Sequence, residues 1–293
     1  MLLLLVGGLV LSEQAIARSF CDDDGDWSLT WQDEFNDGAL NRSTWTVPVG
    51  AGSSFGREAN VTLEDTFVAD GALVLRSRAL PNGSGWTTGA AISRPRSGGS
   101  SGAAAAGSIG AAWRYGRFCV RARLPGSGAG ARSQGLWPAH WMMPSDYTRH
   151  CGYNEIDIME MVDGSGHAYG TYWFWGQNAS ASGPGGSHCS GPPVRAGSSS
   201  VSLADYWSAY HEYAVEWTPT SLTFLVDSVP YQSFAEPANG SRLVPINEHF
   251  MMLNTAIGGA WPGSANSSTV FPAYHYIDYV RVAQNAAHAQ LAA

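Results

Sequence analysis

The sequence contains no lysine: all 16 of its basic residues are arginine. That absence excludes a lysine Schiff base. With a formal charge of -8 and no basic cluster, it also argues against nucleic acid or an anionic membrane surface as a partner. Charge of either sign is scarce, at 14% of residues. Even so, 44% hydrophobic content over 293 residues is enough to bury a full core, so the chain reads as folded and loop-rich, not disordered. The opening MLLLLVGGLVL is too short for a typical membrane span, and no other stretch is long and apolar enough to be one. No pair of cysteines or histidines has zinc-ligand spacing. Long helical periods are also few, and residues 203–210 are at best one short helix.

What is present points to export. The opening apolar run followed by Ala15-Ile-Ala17 reads as a signal peptide over residues 1–17, with a soluble, secreted chain beginning near Arg18. The n-region has no basic side chain, which leaves an uncleaved interfacial anchor as the alternative. Four cysteines suit an oxidising compartment and allow three pairings. Cys151 and Cys189 flank an acidic segment and its following loop, which favours that bridge, whereas Cys119 inside a strand-like run leaves a buried free thiol open. Six Asn-x-Ser/Thr sequons, at Asn41, Asn60, Asn82, Asn178, Asn239 and Asn266, are those of a secretory glycoprotein.

Short alternating segments separated by turn residues recur along the chain, among them 72–78, 118–124, 212–217, 222–226, 249–254 and 277–282. Many short strands without a βαβ rhythm or an internal repeat predict an all-β sandwich of antiparallel sheets. The Gly/Ala/Ser-rich stretch 97–112 reads as a flexible surface insertion, not a boundary, so 18–293 is taken as one domain. A monomer is expected.

The segment NEIDIME, 154–160, concentrates Glu155, Asp157 and Glu160 in a chain short of charge. In a regular strand Glu155 and Asp157 share a face and Glu160 points away. The apolar residues change parity at the same place, since Ile156 and Ile158 are even and Met161 is odd. One extra residue, a β-bulge near Ile158 or Met159, brings all three acids to one face. Two glutamates with an aspartate between them suit a retaining glycosidase, whose nucleophile and acid/base stand about 5–5.5 Å apart. An exposed acidic face or a calcium site is the alternative on this pattern alone.

NEIDIME resembles the E-x-D-x-x-E signature of glycoside hydrolase family 16, in the bulged form of endo-β-1,3-glucanases. The likeness extends over further landmarks in family order: 27–35 (WSLTWQDEF), 115–118 (YGRF), 136–144 (LWPAHWMMP), Trp217, Asp227, 253–263 (LNTAIGGAWPG) and 278–282 (DYVRV). The resemblance implies a jelly-roll sandwich with a concave substrate cleft. It implies Glu155 as nucleophile, Glu160 as acid/base and Asp157 as the residue that orients the nucleophile. No cofactor is required, and a structural calcium near Asp278 stays open. The partner is a β-glucan, with Trp137, Trp141, Trp261 and Asn60 as substrate contacts. Trp27, Trp31 and Trp45 are expected in the scaffold. Where relatives carry T-x-H, this chain has Trp173, either in a stacking platform with Tyr172 and Trp175 or in the core. A non-catalytic glucan-recognition protein, a transglycosylase and a galactanase are the alternatives.

Overall fold

The structure, a computed structural model, describes residues 18–52, 55–93, 111–126, 133–145, 154–174, 194–238 and 243–290. The expected leader, residues 97–110 of the insertion, Cys151, Cys189, Trp175 and the sequons at Asn178 and Asn239 lie outside the described residues.

The strands in chain order are β1 (Ser28–Asp33), β2 (Ala59–Val61), β3 (Thr66–Ala69), β4 (Ala72–Ala79), β5 (Trp86–Thr88) and β6 (Ala90–Ile92). Next come β7 (Ala112–Trp113), which takes the last residue of the expected insertion, β8 (Gly116–Arg123), β9 (Leu136–Pro144), β10 (Asn154–Glu160), β11 (His167–Phe174) and β12 (Val194–Ser202). β13 (His211–Trp217), β14 (Ser221–Val226), β15 (Val229–Ala235), β16 (His249–Ile257) and β17 (Ala273–Gln284) complete them. All six segments read from alternation coincide with strands, and only Leu124 of 118–124 falls beyond its strand's end. The two-residue turn Asp70-Gly71, with φ of 51° and 73°, joins β3 to β4 with Ala69 opposite Ala72; positive φ at both positions is what a twisted hairpin demands.

Two sheets form the sandwich. The outer one runs β15-β14-β13-β8-β17-β4-β5-β2, with β1 on β17 and β3 on β4, and the inner one runs β12-β11-β10-β9-β16-β6, with β7 on β16. Every pairing between strands is antiparallel except β2 with β5. Between the sheets lies one core, to which Phe118, Val120, Tyr213 and Trp217 contribute from the outer sheet and Met142, Ile156, Ile158, Tyr172 and Leu253 from the inner. β16 is buried at every residue, because its second face is covered as well: Phe250 and Met252 pack with Met143 and Trp141 on that side. Trp27 and Trp45 are buried and Trp31 packs against the core, the scaffold roles expected of them.

Two expectations are corrected. Cys119 is not a free thiol: it is bonded to Cys21, 98 residues away in the chain, which ties the N-terminal segment to β8. Residues 203–210 form no helix. Two amides, of Ser208 and Ala209, turn back on the Asp205 carbonyl, while Leu203 and Tyr206 are bonded to Gly166 and Leu124, so the segment is held by its neighbours instead of coiling.

Candidate active site

The site is built on β10. Opposite β11, Asp157 pairs with Thr171 and Glu160 with Tyr169, so Ile158 and Met159 together face the single residue Gly170. The ladder with β9 shifts at the same place. This is the bulge the parity change predicts, and its effect is the predicted one. Ile156, Ile158 and Met159 are buried in the core, while Glu155, Asp157 and Glu160 line a cavity of about 640 Å³ on the other face of the inner sheet.

Each acid has a distinct setting. Asp157 is 2% exposed, accepts the Trp173 indole N–H at Oδ2 over 3.1 Å, and is hydrogen-bonded to Glu155. Burial, then the charges of Glu160 and Glu155, push its carboxyl well above the usual carboxylate range, so it is a donor in that bond. Glu160 accepts the Trp137 N–H at Oε1 over 3.0 Å. Burial and the neighbouring Glu155 raise its pKa to about 7, against the opposing pull of Trp137 and Arg57. The cluster therefore holds neutral and ionised carboxyls side by side near neutral pH, the condition for acid and base work in one site.

The expected tryptophans converge here, and Trp137, Trp141 and Trp173 have their N–H groups already engaged. Trp141 donates to Asn254 Oδ1 over 2.7 Å, and Asn254 in turn donates to the Phe55 carbonyl. Trp261, 44% exposed, meets Trp137 edge-on at 5.5 Å and Tyr169 at 5.2 Å, forming an aromatic corner beside Glu160. Pinned indoles present fixed apolar faces to the cavity, as stacking on a sugar requires. Trp173 is in the cavity and Tyr172 in the core, because the strand alternates: Tyr169, Thr171 and Trp173 share the open face. Asn60 is not brought to the cavity; it is exposed on β2.

Several lining residues escaped the sequence reading. Tyr169 and Thr171 were recoverable by stepping back two at a time from Trp173. Arg57, Arg195 and Asn254 come from distant segments with no local signal. Asp278, where a calcium stays open, is ion-paired with Arg121 over 2.5 Å, and among the described residues no three His, Cys, Asp or Glu side chains converge as metal ligands.

Residues 77–281 match the profile of the glycosyl hydrolases family 16. The chain is 32% identical over 275 residues to a beta-glucanase from Rhodothermus marinus, covering 87% of this chain and 85% of that protein. Its fold matches the crystal structure of the laminarinase catalytic domain from Thermotoga maritima with a TM-score of 0.68 and 26% identity, over 89% of this chain and 99% of that one. It matches the laminarinase from Rhodothermus marinus with a TM-score of 0.69 and 28% identity, over 88% and 98%.

Proposed function

The chain belongs to family 16 of the glycosyl hydrolases, and from that premise we propose that it is a secreted, retaining endo-β-1,3-glucanase acting on laminarin-like or mixed-linkage glucans. The observation that carries this reading is the bulge of β10, which turns three carboxyls into one cavity lined by tryptophans. The glucanase type is supported by the beta-glucanase and laminarinase relatives.

In the first step a carboxylate oxygen of Glu155 attacks the anomeric carbon as the glycosidic C–O bond breaks, and the Glu160 proton passes to the departing oxygen. A covalent glycosyl-enzyme results. Asp157, protonated and bonded to Glu155, holds the nucleophile in line and shares its charge. Forming the ester removes the Glu155 charge, the second of the two causes that raise Glu160. Its carboxyl then falls toward the ordinary range, and it can take a proton from water as the hydroxyl adds to the anomeric carbon and the ester breaks. No metal or organic cofactor enters these steps. Trp137, Trp141, Trp261 and Trp173 offer faces to the sugars, and the chain acts outside the cell as a monomer.

The test is a product assay on laminarin, lichenan, agarose and xyloglucan, with Glu155→Gln alongside. Oligosaccharides from laminarin that vanish in the variant are expected. Laminarin bound but never cut would assign the cavity to recognition instead of hydrolysis, and products from agarose alone would assign a galactanase.

A further inference from the structure

Arg57 lines the cavity that holds the acids, and its backbone is held with unusual care. It adopts φ of 57°, a left-handed conformation costly for a residue with a side chain. The turn around it allows no alternative. A Cβ on Gly56 would lie 2.3 Å from the Ala59 carbonyl oxygen, and the amide of Glu58 and carbonyl of Gly56 are both bonded to Ile257 at the end of β16. The Glu58 carboxylate accepts from the Ser264 hydroxyl over 2.8 Å. Thus fixed, the Arg57 guanidinium sits 5.0 Å from the centre of the Trp137 ring, the ring whose N–H is bonded to Glu160. Among the described residues Arg57 makes no ion pair within 4.0 Å, so stacking on the indole is what engages its charge.

We propose that Arg57 is a positioning residue for the reaction: its guanidinium, held over Trp137, sets the pH range in which Glu160 keeps its proton. A cation on the face of an indole draws density from the ring and makes the N–H a better donor to the carboxylate form of Glu160. Its own field adds to this across the cavity. The groups facing Glu160 are Glu155 and Asp157 on its own strand, Tyr169 opposite on β11, the Trp137 N–H on β9 and Arg57 on the loop before β2, with Arg195 of β12 on the same cavity. Arg57 and the Trp137 N–H oppose burial and Glu155 in fixing the balance. This inference rests on the assignment of Glu160 as the acid.

The experiment compares kcat/KM against pH for the parent, Arg57→Met and Arg57→Lys on a soluble laminarin oligosaccharide. Without the cation Glu160 holds its proton more tightly, so the basic limb in Arg57→Met should move to higher pH by about half a unit to one unit, since a partly exposed charge acts more weakly than a buried one. Arg57→Lys should stay nearer the parent. The displacement should shrink in about 1 M salt, where the screening length is roughly 3 Å; a loop merely deformed by the substitution would not respond. A basic limb of Arg57→Met coincident with the parent's overturns the proposal. If the parent cuts no polymer, the hydrolase reading fails on its own. The Arg57 question is then answered by carbon-13 titration of the Glu160 carboxyl, assigned with Glu160→Gln: a higher midpoint in Arg57→Met supports the inference and an unmoved one overturns it.

Discussion

Trp173 stands where the resemblance in sequence leads one to expect a histidine, and the sequence offers a stacking platform or the core as its place. The structure adds a hydrogen bond from its N–H to the buried Asp157. That bond favours the proton of Asp157 on the other oxygen, because a carbonyl oxygen accepts better than a hydroxyl. Trp173→Phe keeps a ring in the cavity and loses the donor, so KM should change less than threefold while kcat falls by up to about tenfold, the upper end of the roughly 0.5–1.5 kcal/mol of a hydrogen bond between neutral groups. Steady-state kinetics on laminarin separates the two; a loss confined to KM would leave Trp173 a binding residue only. Glu160 carries a second residue-scale consequence. Its folded pKa of about 7 lies above the unfolded value near 4.5, so the stability of the protonated form is present below the unfolded pKa and is lost as pH rises through 7. Glu160→Gln should therefore be more stable than the parent at pH 8, by about 1–3 kcal/mol, in denaturant titration.

At the scale of elements, the bulge of β10 was legible because two independent patterns, acids and apolar residues, change parity together. Six strands were legible from alternation and the turn residues between them. What could not be read was anything set by contacts distant in sequence: the Arg57 turn, the Asn254 partner of Trp141, and the settling of 203–210 into turns. β16 hides its periodicity because both of its faces are covered. Deleting Met159 tests the bulge. Residues 157 to 160 would then match 171 to 169 one for one, and the ladder would become regular with the acids still on the open face. The variant should fold, with parental circular dichroism, yet lose about 10²-fold in kcat because the Glu160 carboxyl shifts against Trp137. Full activity would mean that the extra residue aims nothing. Gly170, opposite the bulge, has no space for a side chain: a Cβ there would lie 2.4 Å from the Tyr231 hydroxyl and 2.7 Å from the Phe224 ring. Gly170→Ala should cost about 1–3 kcal/mol by overpacking, measured by thermal unfolding.

The whole molecule is fastened across its layers as well as along them. His140 of β9 and His275 of β17 meet between the two sheets, Nε2 to Nε2 at 3.0 Å, with His275 Nδ1 3.2 Å from Thr255 Oγ1. Burial holds His275 at about 3, and burial together with His275 holds His140 well below its ordinary value. Both are neutral when folded and take protons when unfolded, so stability falls as pH drops below the unfolded value near 6.5. Replacing both with leucine should flatten that dependence, removing about 2–4 kcal/mol of the loss between pH 7 and pH 5. On the outer sheet, Cys21–Cys119 closes a long loop and is worth about 4–5 kcal/mol by chain entropy, so Cys21→Ser with Cys119→Ser should melt markedly lower. The cavity belongs to the inner sheet and this staple to the outer. Catalytic rate and working lifetime are thus governed from opposite sides of the sandwich. A chain lacking the staple should cut glucan at the parental pace when cool and lose its activity sooner on storage, under heat or under attack by proteases.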